Sequence, residues 1–197
     1  MEIRCKNVIL RDMVAADIED EIRWHTVETE WGLWDTPWED CFSAFDPDAY
    51  REKARKKLQE PKDGFRWELQ VVSSDGTHVG SVNTYWIDDN YEWVARKNLQ
   101  PGQHVFYAVG CAIKEPSYWG RGLGTETLIA YVRYHLNLGH TDICTQTWSG
   151  NVRMVKCAEK LGFTVCDREI AFRTVRGEKV DGLTFRLNVD QFRKRYA

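Results

Sequence analysis

The sequence lacks the cysteine and histidine patterns of a metal-binding or disulfide-rich protein. Its six cysteines lie at positions 5, 41, 111, 144, 157 and 166, with no CxxC pair and no regular spacing. Its five histidines form no ligand pattern either. Scattered cysteines of this kind are typical of reduced thiols in a cytosolic protein and argue against a disulfide framework or a zinc site. We therefore expect a cytoplasmic protein without a bound metal.

An excess of basic residues and long apolar runs are missing as well. The formal net charge is −3, whereas domains that bind nucleic acid normally carry a basic patch. No apolar run approaches the roughly 20 residues that a membrane-spanning helix needs. The first residues, MEIRCKNVIL, also lack the apolar core of a signal peptide. We expect neither nucleic acid nor a membrane among the partners.

Tryptophan is the residue that the sequence has in unusual number. Nine tryptophans occur in 197 residues, and Trp24, Trp31, Trp34 and Trp38 lie close together. Large indole rings usually pack a core or line a pocket. The length fits one domain over residues 1–197, and the apolar fraction of 43% and the charged fraction of 29% are those of a globular protein.

Periodicity along the chain predicts one mixed sheet with helices on its faces. The predicted order is β-α-α-β-β-β-α-β-α-β-β. Asp46 and Pro47 have the chemistry that begins a helix, which should end before Pro61. Alternation predicts a half-buried strand over 65–72, whereas residues 29–45 have no clear period and predict a loop. The other predicted helices are an acidic helix carrying Val14, Ile18 and Ile22 and helices over 125–138 and 152–162. The other predicted strands lie over 8–10, 78–86, 104–113, 142–148, 168–175 and 183–187, and residues 163–165 form a strand-like segment.

A glycine run, SYWGRGLGTETL over 117–128, connects the predicted strand 104–113 to the helix that follows. No lysine follows these glycines as a Walker A loop requires, and the spacing does not complete a dinucleotide fingerprint. Strand, glycine loop and helix N-terminus still present free backbone N–H groups and a positive helix end. The local physics therefore favours an anion site, to which Arg121 adds charge, over a purely structural turn.

This segment resembles motif A of the Gcn5-related N-acetyltransferases (GNAT). The family pattern Gln/Arg-x-x-Gly-x-Gly/Ala corresponds here to Trp119, Gly122 and Gly124. Trp119 departs from that pattern in a way similar to the branch that acetylates ribosomal-protein N-termini (RimJ/RimL-like). A second family motif runs from Asn151 to Phe163. The resemblance implies an α/β fold with a mixed, mostly antiparallel sheet, splayed central strands and helices on both faces.

The resemblance also implies acetyl-CoA as cofactor, lying in the gap between the splayed strands. Backbone groups of Cys111, Ala112 and Ile113 would pair with the pantetheine arm, and the amides from Gly120 to Thr125 would surround the pyrophosphate. Asn151 would contact the pantetheine or adenosine side, in addition to a plain N-cap role. The implied cofactor residues are Cys111, Ala112, Ile113, Trp119, Gly120, Arg121, Gly122, Leu123, Gly124, Thr125 and Asn151.

The catalytic residues are harder to assign, because the family's usual groups are missing. The usual tyrosine and serine acids correspond to Ala158 and Met154, and the usual carboxylate base corresponds to Ala108. His104, acting through water, and Ser149, as a donor to the thiolate, are the remaining candidates, although a surface histidine and a capping serine are equally ordinary explanations. These departures keep open a non-catalytic acyl-CoA-binding sensor as the alternative to an N-acetyltransferase.

The acceptor is expected to be a cationic primary amine. Between Asp12 and Asp48 the chain has twelve acids and one base, Arg23, beside the clustered tryptophans. Carboxylates and indole rings together suit ammonium groups, although a solvated acidic helix face would show the same composition. The predicted substrate pocket consists of Glu30, Trp31, Trp34, Asp35 and Trp38. Its partner would be a small-molecule amine such as a polyamine or aminoglycoside, or a peptide N-terminus, bound by a monomer or homodimer.

Overall fold

The computed structural model describes residues 1–39, 42–62 and 64–196. Asp40 of the acidic segment and Cys41 lie outside these residues. The described strands are β1 (Glu2–Arg4), β2 (Val8–Arg11), β3 (Glu68–Ser73), β4 (His78–Ile87), β5 (Trp93–Val94), β6 (Phe106–Ile113), β7 (Ile143–Trp148), β8 (Phe163–Val175) and β9 (Glu178–Leu187). The helices are α1 (Asp17–Thr26), α2 (Gly32–Asp35), α3 (Pro47–Gln59), α4 (Leu123–Asn137), α5 (Val152–Leu161) and α6 (Val189–Tyr196).

The strands form one sheet in the order β1-β2-β3-β4-β6-β7-β9-β8, with β5 paired to β4. The pair β6–β7 is parallel, and the other pairs are antiparallel. This confirms the predicted mixed, mostly antiparallel α/β sheet. In the described part of the chain, no helix has the length and apolar character to cross a membrane.

Helices cover both faces of the sheet. Leu128, Tyr131 and Val132 of α4 lie in one buried cluster with Val82 of β4 and Val109 of β6. Side chains alternate between faces along a strand, so Lys114, just past the end of β6, points to the opposite face, where it contacts Glu21 of α1. Beside α1, Ile18 and Ile22 pack with Ala54 of α3 in a second cluster.

The predicted helix start at Asp46 is confirmed, since its carboxylate accepts hydrogen bonds from the N–H groups of Asp48 and Ala49. Helix α3 ends at Gln59, before Pro61 as expected. The prediction for Val14 was wrong: α1 begins only at Asp17, whose carboxylate accepts from the Val14 N–H. The expected loop over 29–45 contains the short helix α2, and the terminal elements β1 and α6 were missed.

The strand predicted over 65–72 begins only at Glu68. Tyrosines of α4 hold the preceding backbone instead, because Tyr134 Oη accepts from the Arg66 N–H and Tyr131 Oη donates to the Arg66 carbonyl. The strand is also buried on both faces from Leu69 to Ser73, rather than half-buried. The two runs predicted at 163–165 and 168–175 are one strand, β8, with two breaks in register.

Candidate active site

The site begins where β6 and β7 separate. These strands pair only at Tyr107–Ile143 and Ala108–Cys144, which confirms the predicted splay. At the branch point the side chain of Thr145 replaces the missing backbone donor, since its Oγ1 donates to the Val109 carbonyl at 2.7 Å. Beyond Val109 a gap opens between the strands.

Thr145 is fully buried, so its hydroxyl contributes to stability as well as to the shape of the gap. We expect Thr145→Val to lower the free energy of unfolding by about 1–3 kcal/mol, because the Val109 carbonyl loses its partner in a buried setting. Urea denaturation measures this change. Thr164→Val, the same substitution at an exposed position of β8, is the control, and equal losses in the two variants would contradict the role given to Thr145.

Backbone groups on one side of β6 face the gap. The Lys114 N–H donates to Val79 of β4, and hydrogen-bonding direction alternates along a strand, so Ala112 also pairs with β4. Cys111 and Ile113 therefore turn their amides toward the gap. The Ile113 carbonyl accepts a hydrogen bond from Trp119 Nε1 at 2.6 Å. The groups that remain to face the gap are the N–H groups of Cys111 and Ile113 and the Cys111 carbonyl. Ala112 contributes its side chain rather than the backbone pairing expected of it.

The glycine run supplies a second set of free amides. Gly120 and Gly122 have φ of 74° and 81°, a left-handed conformation that glycine adopts without strain. Gly122 is the N-cap of α4, and no side chain caps this helix. Within the described residues, the N–H groups from Gly120 to Thr125 have no protein acceptor. The first turn of α4 therefore points several donors and a positive helix end at the gap.

A cavity of about 400 Å³ lies against these amides. Trp119, Gly120, Gly122, Leu123, Gly124, Thr125, Cys111, Ala112, Ile113 and Asn151 all line it. Its rim also carries Arg153, Lys156 and Lys160 of α5, so the cavity combines apolar walls with a basic edge. Sequence reasoning missed these three bases, although their spacings of three and four residues place them along one face of α5.

Three predicted cofactor-site residues, Asn151, Trp119 and Arg121, make side-chain contacts within the protein. Asn151 caps α5 by accepting from the Met154 N–H, and its Nδ2 donates to the Trp34 carbonyl at 2.8 Å. Arg153 lies between two indoles, with its guanidinium carbon 4.3 Å from the Trp34 ring centre and 4.4 Å from that of Trp119. Arg121 is exposed and packs over Tyr118, outside the residues that line the cavity.

A second, larger cavity of about 1120 Å³ adjoins the first. The two share Trp31, Asp35, Cys111 and Ala112 as lining residues. Trp38 lines the larger cavity, where its ring meets Trp148 and Phe172 edge-on. Trp34 lines the smaller one. Tyr85, which sequence reasoning did not single out, also lines the larger cavity and donates to Gln146 Oε1 at 3.0 Å.

The larger cavity has an acidic character once its ion pairs are taken into account. Three of its bases are paired, because Lys57 contacts Glu68, Arg66 contacts Asp12, and Lys114 contacts Glu21. The fourth, Lys62, donates to the Met13 carbonyl. In the described part of the chain, the lining carboxylates without an ion-pair partner are Asp35, Glu60, Glu92, Asp167 and Glu169. The charged residues of the two cavities thus differ in sign, because the smaller cavity has a basic rim and the larger one is lined by carboxylates.

Most of the acidic segment between Asp12 and Asp48 lines neither cavity, which corrects the expectation that its carboxylates surround the acceptor. Its carboxylates are used in ion pairs, such as Arg11 with Asp17, Arg51 with Glu19, and Arg23 with Glu28. Of the segment's described acids, Asp12 and Asp35 line the cavities. Glu30 is exposed and lines neither cavity.

The two predicted catalytic candidates, His104 and Ser149, also lie away from the place where the two cavities meet. Strand β6 begins at Phe106, so His104 does not share its face; its Nδ1 lies 2.7 Å from Asp89 Oδ1. That hydrogen bond raises the pKa of His104, and the Asp142 carboxylate, 3.6 Å from His104 Nε2, adds to the rise. Ser149 Oγ accepts from the Asp181 N–H, which ties the loop to β9. Neither residue lines either cavity.

Comparison with known proteins agrees with this geometry. Residues 7–164 match the model of the acetyltransferase (GNAT) domain family. The chain is 30% identical over 145 residues to the SPbeta prophage-derived uncharacterized N-acetyltransferase YokL of Bacillus subtilis, covering 72% of this chain and 71% of that protein. A ribosomal-protein-S5-alanine acetyltransferase from Vibrio fischeri shares the fold, with a TM-score of 0.69 and 16% identity over 97% of this chain and 98% of that chain. The structure of yncA from Salmonella typhimurium with its cofactor acetyl-CoA also shares it, with a TM-score of 0.61 and 18% identity over 92% of this chain and 94% of that chain.

Proposed function

The chain belongs to the GNAT acetyltransferases, and from that premise we propose that it transfers the acetyl group of acetyl-CoA to a cationic primary amine held in the larger cavity. The observation that carries this proposal is the junction of two cavities of opposite electrostatic character. A basic rim suits the phosphates of the cofactor, and a carboxylate-lined chamber suits an ammonium group. The RimJ/RimL-like assignment and a cytoplasmic location stay predictions.

The residues around the smaller cavity fit acetyl-CoA. The amides of Cys111 and Ile113 would pair with the pantetheine arm as a neighbouring strand does, because the splay leaves them without a partner. The free N–H groups from Gly120 to Thr125 and the bases of α5 would hold the phosphates. When bound, acetyl-CoA supplies the electrophilic thioester carbonyl.

The larger cavity would hold the acceptor. Glu92 precedes β5 and the pair Asp167 and Glu169 belongs to β8, so carboxylates meet there from separate parts of the chain. Trp38 and Phe172 add aromatic surface against which an ammonium group or its methylenes can pack. A polyamine, an aminoglycoside or a basic peptide N-terminus has this chemistry. The amine would attack the thioester directly, in a ternary complex.

A salt series of steady-state kinetics tests the charge preference. We expect a diamine to be a better substrate than an amine that has no second charged group. The apparent affinity for the diamine should fall as salt rises from low to physiological concentration, because exposed charges are screened over about 10 Å at 0.1 M. The triple variant Glu92→Gln, Asp167→Asn, Glu169→Gln should raise the KM for the diamine about tenfold at low salt and leave the KM for acetyl-CoA unchanged, since each exposed contact contributes up to about 1 kcal/mol.

The matched control removes the same net charge elsewhere. Glu159, Glu178 and Asp190 are exposed and line neither cavity, so Glu159→Gln, Glu178→Gln, Asp190→Asn should behave as wild type. Equal KM values for charged and neutral amines would overturn the cationic acceptor. Tight acetyl-CoA binding with no amine-dependent release of thiol would instead favour the acyl-CoA sensor.

A further inference from the structure

We propose that Asp35 is the general base of the transfer and accepts the proton that the substrate ammonium loses at the junction of the two cavities. This inference rests on the proposed amine acetylation and adds a catalytic role to a residue expected only to line the substrate pocket. It is carried by the position of Asp35, by the way α2 is held, and by the absence of another proton acceptor among the described residues that line both cavities.

Among the residues that the structure describes, Asp35 is the one carboxylate that lines both cavities. The other three shared residues cannot take a proton from an ammonium group. Ala112 has no polar side-chain atom, and the indole N–H of Trp31 already donates to the Trp24 carbonyl at 2.9 Å. Burial raises the pKa of the Cys111 thiol, so it stays protonated at neutral pH.

The fold holds Asp35 in place although α2 is short. The carbonyl of the preceding residue, Trp34, accepts two hydrogen bonds, from Trp148 Nε1 at 2.9 Å and from Asn151 Nδ2 at 2.8 Å. Trp148 ends β7 and Asn151 begins α5. The end of α2 is therefore tied to the far side of the strand gap, which orients the following carboxylate at the cavity junction.

The groups around Asp35 come from β4, from β6 with the residue just beyond it, and from the segment of Asp35 itself. The Asp35 residue is exposed to solvent, but the protein around its carboxylate removes part of the hydration, and this desolvation raises the pKa of Asp35. Lys114 beyond β6 opposes that rise, and Glu39 in its own segment adds to it. Burial raises the pKa values of Tyr85 on β4 and Cys111 on β6, and the nearby Asp35 charge adds to both rises. A carboxyl whose pKa moves toward the working pH is a more effective base than an ordinary one.

In the reaction, the substrate ammonium would transfer one proton to the Asp35 carboxylate, and the neutral amine would form a bond to the acetyl carbon. The carbon–sulfur bond would break, and the departing thiolate would take up the second proton that the nitrogen gives up. Asp35 then returns its proton to solvent. The usual carboxylate position of the family holds Ala108, and His104 lies outside both cavities, so Asp35 fills a role that these two positions leave vacant.

The test is Asp35→Asn, which keeps size and shape and removes the proton acceptor. We expect kcat with a saturating amine to fall by about 10²–10⁴, the range of general-base contributions, while the Kd for acetyl-CoA stays at the wild-type value. Asp190→Asn is the matched control, because it makes the same change at an exposed aspartate that lines neither cavity, and it should keep the wild-type kcat.

Two further readouts separate a base from a mere cation-binding group. The deficit in kcat should shrink as the pKa of the substrate ammonium is lowered along an amine series, since less proton acceptance is needed; a binding role would raise KM and spare kcat. Carbon-13 NMR of labelled aspartate in the free protein should show one carboxyl that titrates above the ordinary value of about 4 and is missing from Asp35→Asn.

The outcomes distinguish this inference from the proposed function. If the wild-type protein releases thiol with amines but Asp35→Asn keeps its kcat, or loses it equally at every amine pKa, the general-base assignment is overturned. If the wild-type protein binds acetyl-CoA and acetylates no amine, the proposed function itself fails, and the NMR titration still reports whether the Asp35 carboxyl is perturbed.

Discussion

Replacing Lys114 by methionine is expected to lower the free energy of unfolding by about 3–5 kcal/mol, the usual effect of removing one partner from a buried ion pair. Lys114 Nζ lies 2.9 Å and 2.6 Å from the two Glu21 carboxylate oxygens, and both residues are buried. The ammonium also lies 5.0 Å from the Trp31 ring centre and 5.6 Å from that of Trp24. Without it, the Glu21 carboxylate would be left buried among indole rings with its charge uncompensated.

A double-mutant cycle separates the pair from its individual residues. Glu21→Leu alone should also be strongly destabilising, whereas Glu21→Leu with Lys114→Met should recover most of the loss, because the two apolar side chains replace the pair. Urea denaturation at one pH measures all four proteins. Lys56→Met, which removes an exposed pair with Glu52 on α3, should change stability by less than about 1 kcal/mol. A similar loss for Lys56→Met and Lys114→Met would contradict the distinction.

The same pair explains why the sequence alone misplaced the acidic segment. The sequence shows that Glu21 belongs to a run rich in carboxylates. Its ion-pair partner is Lys114, which lies beyond the end of β6 and far away in the sequence. Arg51, on α3, pairs with Glu19 in the same way. Ion pairs of this kind depend on how α1 packs against the sheet and α3, so local patterns cannot show which charges remain for a substrate.

Local chemistry predicted the backbone geometry of the glycine run and of Asn151 well, because glycine and capping signals act within a few residues. The left-handed Gly122, the uncapped start of α4 and the Asn151 N-cap all follow from spacing along the chain. The acceptor side is built differently. Glu92 and Asp167 reach one cavity because β9 lies between β7 and β8 while β5 folds onto β4. That arrangement is a property of the assembled sheet, and no short motif records it.

The second large effect concerns the glycine at the start of α4. Gly122→Val is expected to weaken acetyl-CoA binding by roughly hundredfold, about 2.7 kcal/mol, because a branched side chain would stand beside the amides that receive the phosphates. A Cβ at Gly122 would meet no protein atom within 4 Å, so it would occupy space next to the cavity that Gly122 lines. The substitution also places an L-residue at a φ of 81°, which costs about 1–2 kcal/mol in stability.

The other end of the same helix offers a control with equal backbone strain. Gly139 has a φ of 83°, open space around its Cβ position and no part in either cavity. Gly139→Val should therefore lose the same stability as Gly122→Val while keeping the wild-type Kd for acetyl-CoA. Calorimetric titration with acetyl-CoA and urea denaturation, run on both variants, separate occlusion from strain. Equal affinities in the two variants would mean that the amides at the start of α4 do not receive the cofactor phosphates, and that the basic residues of α5 hold them from the opposite rim.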